Sequence, residues 1–207
     1  MNDTEMRLKN LKTRSLVLHY IRDYFMSLGY LEVETPLRCP CIIPEGHIDL
    51  VMSEDCFLQA SPELCMKRLL AAGAQKIFQI CKCFRKGERG DRHLPELTML
   101  EWYAAGQTYE DVMDQCQGLI RQIAIGLGMG NRMTFQGRNI ELSQPFHKLT
   151  VHQAFEQFSG ISPETALETG RFDEIISFDI EPNLGNDRPC ILYDYPAPLA
   201  SLAALHQ

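Results

Sequence analysis

Two runs of residues constrain the fold of this chain more than any other feature: KIFQICKCFR at 76–85 and PELTMLEWYA at 95–104. They are separated by KGERGDRHL, a charged segment that contains two glycines. Runs of this length that are rich in β-branched and aromatic residues, and that are joined by a polar loop, are typical of paired strands. We therefore predict a long antiparallel hairpin.

A long helix is predicted at the start of the chain. Apolar residues recur close to helical spacing over residues 4–27, with Asp3 or Thr4 as the N-cap and Gly29 as the stop. These apolar positions are Leu8, Leu11, Val17, Leu18, Ile21 and Phe25.

Shorter elements are predicted between this helix and the hairpin. Residues 31–35 are typical of a strand, and Pro36 closes it because proline cannot donate to a ladder. The segment Ser61-Pro62-Glu63 is typical of a helix start, since a hydroxyl can cap free N–H groups and proline is tolerated at the first position. Gly73 is the predicted end of that helix.

The second half of the chain predicts further helices and strands. Thr108 and Asp111 have the spacing of a capping box, and apolar residues follow on one helical face. A second helix is capped by Thr150, and strands are predicted at 175–178 and 190–195. The face after Thr108 consists of Val112, Cys116, Leu119, Ile120 and Ile123.

Composition bounds the class of protein. With 207 residues and 45% apolar content, the chain is predicted to be a single domain, 1–207, in the cytoplasm, because no apolar run is long enough to span a bilayer. The formal net charge of −7 argues against binding of nucleic-acid phosphates over a large surface. The eight cysteines are expected to be reduced thiols without metal, since the pairs Cys39/Cys41 and Cys81/Cys83 lack zinc-site spacing.

The predicted hairpin carries most of the candidate chemistry. Strand alternation puts Glu101 and Tyr103 on one face of the second run, where a carboxylate and a phenol could receive an alkylammonium ion. Arg85 lies where the first run meets the loop, and a guanidinium can hold two phosphate oxygens. Gln79, Cys81 and Cys83 share its face, Leu97 and Met99 share the face of Glu101, and further cations follow at Lys86, Arg89, Arg92 and His93.

Two readings of these polar residues remain open on spacing alone. A substrate with a phosphate at one end and an amine at the other would suit cations near the loop and an acid deeper in the sheet. A charged loop is also commonly a solvated tip, and an Arg with a Glu in a sheet is commonly a structural ion pair.

Four segments resemble class II aminoacyl-tRNA synthetases. Residues 84–103, FRKGERGDRHLPELTMLEWY, resemble motif 2 of the lysine, aspartate and asparagine branch, and GYLEVETP at 29–36 resembles motif 1. ASPELCMKRLLAAG at 60–73 resembles the substrate-binding helix of the lysine branch. EPNLGNDRPCILYDYPAPLASLAAL at 181–205 resembles the lysyl-tRNA synthetase paralogues that attach lysine, preferentially β-lysine, to a lysine of elongation factor P.

The resemblance implies a role for each matching residue on the nucleotide side. Arg85 would contact the α-phosphate of ATP and the substrate carboxylate, and His93 would hold the triphosphate. Leu97 stands where the family usually has a phenylalanine that stacks on adenine, so apolar contact remains without aromatic stacking. Glu88 would replace an acid that the family usually has one position earlier.

The resemblance also implies an amino-acid site. Glu63 would bind the α-amino region, and Glu101 and Tyr103 would receive the side-chain ammonium. The implied reaction forms an aminoacyl-adenylate, which the amine of an acceptor lysine on elongation factor P then attacks.

The implied fold is α+β, an antiparallel sheet flanked by helices. Residues 29–36 would lie at a homodimer interface. The chain is expected to lack the N-terminal OB anticodon-binding domain and motif 3, and so to be incomplete at its C-terminus. The Mg2+ ligands are expected mainly from that further part, and binding of tRNA or membranes is not expected.

Two alternatives accompany this interpretation. Without motif 3, the chain could be a catalytically inactive module of the class II type that binds a ligand or a partner. It could also be a catalytic fragment of a lysyl-tRNA synthetase, which the opening of the chain and residues 181–205 disfavour.

Overall fold

The computed structural model describes residues 2–41, 48–90, 93–200 and 203, and the chain divides into two compact units. One unit comprises residues 18–109, and the other comprises residues 1–17 and 110–207. Both units contain helices and strands, so the predicted α+β class is confirmed. The assignment of one domain to the whole chain stays a prediction.

Helices and strands are interspersed along the chain. Up to residue 104 they are α1 (Asp3–Ser27), β1 (Leu31–Glu32), β2 (Arg38–Cys39), β3 (Val51–Ser53), β4 (Cys56–Leu58), α2 (Glu63–Ala71), β5 (Lys76–Phe84) and β6 (Glu96–Ala104). The later elements are α3 (Tyr109–Gly126), β7 (Arg132–Phe135), β8 (Arg138–Glu141), β9 (His147–Thr150), α4 (Val151–Phe158), α5 (Pro163–Glu168), α6 (Phe172–Ile175) and β10 (Cys190–Tyr193). A π-helical turn covers Ile176–Ile180, and 3-10 turns cover Glu181–Asn183 and Ala197–Leu199. None of the described helices is long and apolar enough to cross a membrane.

The predicted hairpin is confirmed. Strands β5 and β6 pair antiparallel over nine residue pairs, from Lys76 opposite Ala104 to Phe84 opposite Glu96. Strand β1 adds to the free edge of β5 in parallel, which gives the order β1-β5-β6. A second small sheet in the same unit has the order β2-β4-β3.

Aromatic packing holds the hairpin sheet against the end of α1. The ring of Phe25, which is fully buried, lies 5.1 Å from that of Phe78 and 5.1 Å from that of Trp102. Tyr30 packs edge-on against Phe25 with 5.2 Å between ring centroids. Because aromatic side chains bury large apolar areas, this cluster fixes the strand face opposite to the one that carries Glu101.

The start of α1 differs from the prediction in two respects. The helix begins at Asp3, and the capping bonds belong to Asn2: its side-chain oxygen accepts from Glu5 N at 2.8 Å, and its own N donates to the Glu5 carboxylate at 3.0 Å. An asparagine with a glutamate three residues later makes the same reciprocal pair as a capping box. Leu8 and Leu11, which helical spacing assigned to a buried face, are 54% and 63% exposed.

The unit that contains residues 110–207 has its own core. Strands β9 and β10 pair in parallel, with Leu149 opposite Leu192. The core members, all buried, are Val151, Ala154, Phe155, Ala166, Phe172, Ile175 and Ile180. A smaller cluster joins Ala124, Ile140, Leu142 and Phe146.

Three predictions in this unit are corrected. Residues 175–178 are not a strand: Ile175 and Ile180 are buried while Phe178 is 76% exposed, which is burial on one side of a helical segment. Strand β10 ends at Tyr193 because Asp194 has a φ of +55°. In α3 the buried residues include Leu119, as predicted, but Val112 and Ile120 are each 39% exposed.

Replacing Thr150 by alanine is expected to destabilise the protein by about 1 kcal/mol. The Thr150 hydroxyl accepts from Gln153 N at 3.1 Å, and the Gln153 side chain accepts from Thr150 N at 3.0 Å, as predicted for a capped helix. The measurement is urea unfolding followed by circular dichroism. Thr13→Ala, at an exposed position inside α1, is the control and should leave the free energy of unfolding unchanged or slightly raised. Equal losses in both variants would contradict a capping role.

Candidate functional site

The register of the hairpin brings the predicted site residues onto one strand face. Gln79 lies opposite Glu101, Cys81 opposite Met99, and Cys83 opposite Leu97. Residues directly opposite in an antiparallel pair project to the same side, and residues two apart on one strand do so as well. The face predicted from alternation is therefore present, with Arg85 at its loop end and Tyr103 at its far end.

Arg85 is held at the junction of β5 and the loop. Its backbone N donates to Pro95 O at 2.9 Å, which continues the ladder one step beyond the paired residues. The guanidinium lies 3.6 Å from the Glu88 carboxylate, and the Arg85 side chain is only 24% exposed. Among the described residues its buried Nε has no hydrogen-bond acceptor. The guanidinium is therefore a charged group with an N–H that can still donate, which suits an anionic ligand.

The loop that follows is compact where the structure describes it. Gly90 and His93 exchange backbone hydrogen bonds at 3.2 and 3.3 Å, and the His93 side chain is exposed. Gly87 has a φ of +77°, a conformation that a side chain would strain. Arg89 is exposed beside it, and Arg92, also predicted here, lies outside the described residues.

A hydrogen-bonded network surrounds Glu101 on the neighbouring strand. The Ser61 hydroxyl donates to one carboxylate oxygen of Glu101, and the Tyr103 hydroxyl donates to the other at 2.9 Å. Burial raises the pKa of Tyr103, and the negative charge of Glu101 raises it further. The phenol therefore remains a protonated donor at neutral pH. Both oxygens of Glu101 are fixed in place, and each retains lone pairs for a cation.

Ser61 also connects this network to the start of α2. Its Oγ accepts from the backbone N of Glu63 at 3.1 Å. The Glu63 carboxylate in turn accepts from Lys67 Nζ at 2.6 Å, one helical turn later. Glu63 also contributes to the raised pKa of Tyr103, after burial and Glu101. The two predicted acids of the amine site thus lie in one connected set.

Sulfur atoms occupy the middle of the strand face. Cys81 Sγ lies 3.9 Å from Cys83 Sγ, and Cys83 Sγ lies 3.9 Å from Met99 Sδ. The hydrogen bond with Cys83 lowers the pKa of Cys81, while the same bond and burial raise the pKa of Cys83. Gln59 Nε2 also donates to Cys81 Sγ at 3.3 Å. Leu97, half-buried, continues the face toward the loop.

All eight cysteines are free in the structure. A cavity of about 150 Å³ lies beside α2 and is lined in part by Cys39, Cys41 and Cys65. Gln59 and Ser61, which contact the strand face, also line it. Within the described ranges, no group of three or more His, Cys, Asp or Glu side chains is arranged to hold a metal ion.

Sequence reasoning missed the connecting residues of the site. Ser61 was predicted only as a helix cap, and its bond to Glu101 joins residues 40 positions apart, which no local pattern reveals. Lys67 could have been found, because a lysine four residues after a glutamate on a helix is a standard ion-pair spacing. Gln59 lies before α2, and no sequence pattern predicted a role for it.

Comparison with known proteins shows which family the chain belongs to. Residues 2–207 match the model of tRNA synthetases class II (D, K and N). The chain belongs to this family. Membership of this family accounts for the segments of the sequence that resemble motif 1 and motif 2.

Similar proteins fall into two groups within the class II synthetases. The elongation factor P (R)-β-lysine ligases of Vibrio atlanticus (strain LGP32) and Vibrio cholerae serotype O1 are 35% and 34% identical, each over 96% of this chain. The lysine–tRNA ligase of Azoarcus sp. (strain BH72) is 40% identical over 70% of the chain and 30% of its own length. The chain spans 66% of the length of the two Vibrio relatives.

Proposed function

We propose that this class II synthetase domain activates lysine or β-lysine with ATP and transfers it to a lysine of elongation factor P. The observation that carries the proposal is the pair of opposite charges on one strand face. Arg85, whose buried Nε has no acceptor in the part of the chain that the structure describes, lies at the loop end, and the Ser61–Glu101–Tyr103 network lies six strand positions further along. The (R)-β-lysine ligases among its relatives support the choice of reaction.

Recognition of the amine follows from Glu101. An ammonium group donates in three directions, and the two oriented carboxylate oxygens offer it acceptors that a neutral analogue leaves unpaired. The Tyr103 phenol adds an oxygen acceptor while its own proton points at Glu101. Glu63 would bind the second amino group of the substrate, close to its carboxylate.

The chemistry requires little beyond positioning and charge neutralisation. The substrate carboxylate oxygen attacks the α-phosphorus of ATP, the bond to the β-phosphate oxygen breaks, and pyrophosphate leaves. Arg85 would neutralise the charge that develops on the α-phosphate oxygens. The neutral amine of the acceptor lysine then attacks the carbonyl carbon of the mixed anhydride, AMP leaves with the electron pair of the broken bond, and the nitrogen loses a proton to solvent as the amide forms.

The nucleotide would be bound by the loop end of the face. Arg85 and His93 would meet the phosphates, Leu97 would contact the base, and Glu88 would hold Arg85 in place through the 3.6 Å ion pair. Mg2+ would accompany ATP, and no group of three or more His, Cys, Asp or Glu side chains among the described residues is arranged to hold it.

A homodimer is proposed through the segment at 29–36. Leu31 is 63% exposed, and the nearby Leu28 and Leu37 are 38% and 42% exposed. Exposed leucines within and directly beside a segment that resembles motif 1 support an interface between copies of the chain. Sedimentation velocity of wild type and of Leu31→Glu measures this directly.

Exchange of labelled pyrophosphate into ATP tests the proposed activation step. α-Lysine and both enantiomers of β-lysine are the substrates, and norleucine, which lacks the terminal amine, is the matched negative control. We expect exchange with at least one lysine isomer and none with norleucine. Exchange with norleucine at the same rate would contradict the amine site. If a folded sample gives no exchange, binding of a non-hydrolysable lysyl-adenylate analogue decides whether the chain is a binding module.

A second candidate function is charging of tRNA with lysine, which the match to the Azoarcus lysine–tRNA ligase favours. Both functions share the adenylate, so exchange does not separate them. Transfer of labelled lysine does: we expect label on elongation factor P rather than on lysine tRNA. Label on tRNA alone would replace the proposed acceptor while leaving the activation step intact.

A further inference from the structure

A buried amide lies directly across the sheet from Glu101. Gln79 is 2% exposed, and its position in β5 pairs with that of Glu101 in β6. Side chains at directly opposite positions of an antiparallel pair project to the same side, with their Cβ atoms about 4.5–5.5 Å apart. The Gln79 amide is therefore a neighbour of the carboxylate that the proposed function assigns to the substrate ammonium.

One end of this amide has no hydrogen-bond partner. The pKa of Cys81 is lowered first by its hydrogen bond with Cys83, and further by hydrogen bonds with the side chains of Gln59 and Gln79. A hydrogen bond that lowers the pKa of a thiol stabilises the thiolate, so Gln79 donates it through Nε2. Gln79 Oε1 is buried and accepts no hydrogen bond from any residue that the structure describes.

The missing donor has to come from a ligand. A buried acceptor without a donor incurs a desolvation penalty that no protein contact offsets. Bulk water does not offset it either, because the Gln79 side chain is almost fully buried. Buried polar groups in folded proteins are nearly always hydrogen-bonded, so an unbonded one beside a proposed ligand site indicates a donor on the ligand.

We propose that Gln79 Oε1 accepts a hydrogen bond from the terminal ammonium of the substrate, and that Gln79 thereby makes the site specific for an unmethylated amine. An ammonium group has three N–H donors. The Glu101 carboxylate accepts one, and the Tyr103 phenol oxygen accepts another while its own proton is donated to Glu101. Gln79 Oε1 provides the acceptor for the third.

This inference rests on the proposed function, since it takes the ammonium to be bound at Glu101. It extends that function by predicting which amines the site rejects. A methyl group on the amine removes one donor, and the acceptor that loses it is left buried and unpaired. Lysine is therefore preferred to its Nε-methyl derivative.

Calorimetric titration of the full chain with α-lysine, (R)-β-lysine and their Nε-methyl derivatives tests this role. Gln79→Met nearly keeps the length of the side chain and removes the acceptor. We expect the Kd for lysine to rise about tenfold or more, which is the range for loss of a hydrogen bond to a charged group. The preference for lysine over its Nε-methyl derivative should shrink by a similar factor. The midpoint of thermal unfolding should change little, because the variant removes an unpaired buried oxygen together with the bond to Cys81.

Lys82→Met is the matched control. It places the same side chain on the same strand, at an exposed position of the opposite face, and should bind lysine as wild type does. Equal Kd values for wild type and Gln79→Met, or an unchanged preference against the Nε-methyl derivative, would overturn the inference and leave the amine site at Glu101 in place. If wild type binds no lysine isomer, the inference and the proposed amine site are both wrong. If wild type binds lysine without exchanging pyrophosphate, the activation step fails and the role of Gln79 is still decided by the Kd values.

Discussion

Arg85→Ala is expected to lower lysine-dependent pyrophosphate exchange by on the order of 10²–10³-fold, the cost of removing one donor aimed at developing charge. The guanidinium is partly buried, its Nε has no acceptor among the described residues, and its ion pair with Glu88 is long, at 3.6 Å. Loss of the side chain therefore removes the cation from the phosphate end of the face. The initial rate of exchange at saturating lysine measures the effect.

Two further variants define the role of Arg85. Arg85→Lys keeps the charge but not the planar fork, so it should recover only a small part of the rate. Arg132→Ala removes an exposed arginine paired with Glu141 in the other unit and should leave exchange unchanged. Equal exchange by Arg85→Ala and wild type would remove Arg85 from the proposed mechanism.

Glu101→Gln is expected to lower kcat/KM for lysine by about 10²-fold or more, because the site then presents an amide where it must meet an ammonium. Glutamine retains one acceptor oxygen in place of two, and its NH2 group faces a hydroxyl donor or the substrate cation. The KM for ATP should change little, since the nucleotide residues lie at the other end of the face. Exchange kinetics with each substrate varied in turn separate the two values.

Glu96→Gln is the matched control for this variant. Glu96 lies on the same strand, is paired with Lys82 at 2.8 Å, and is 55% exposed. Its replacement should leave both KM values unchanged. A similar loss in both variants would indicate a general effect of removing strand charge rather than a specific amine site.

The hairpin and its polar face were predictable from the sequence because they depend on local periodicity. Two runs of ten residues with a charged loop between them allow few folds other than an antiparallel pair, and alternation alone then assigns Glu101 and Tyr103 to one side. The register adds only the information that Gln79 is the residue opposite Glu101.

The hydrogen bonds that complete the site could not be predicted from the sequence, because they do not depend on local periodicity. Ser61 reaches Glu101 only after α2 and β6 have come together, so the bond depends on tertiary structure. The segment at 175–178 was also mispredicted because its structure depends on tertiary packing. Its four apolar or small residues suit either a strand or a helical turn, and burial of Ile175 and Ile180 in the core favours the turn.

The bond between Lys67 and Glu63 means that the proposed amino-acid site contains an internal competitor for its ligand. An ammonium tethered on the next helical turn already donates to this carboxylate at 2.6 Å. Tethering over a short span corresponds to an effective concentration in the millimolar range. A free amine must displace Lys67 or share Glu63 with it, so ligands that engage Glu63 alone face a concentration threshold. A diamine that also reaches Glu101 gains a second contact without a tethered rival.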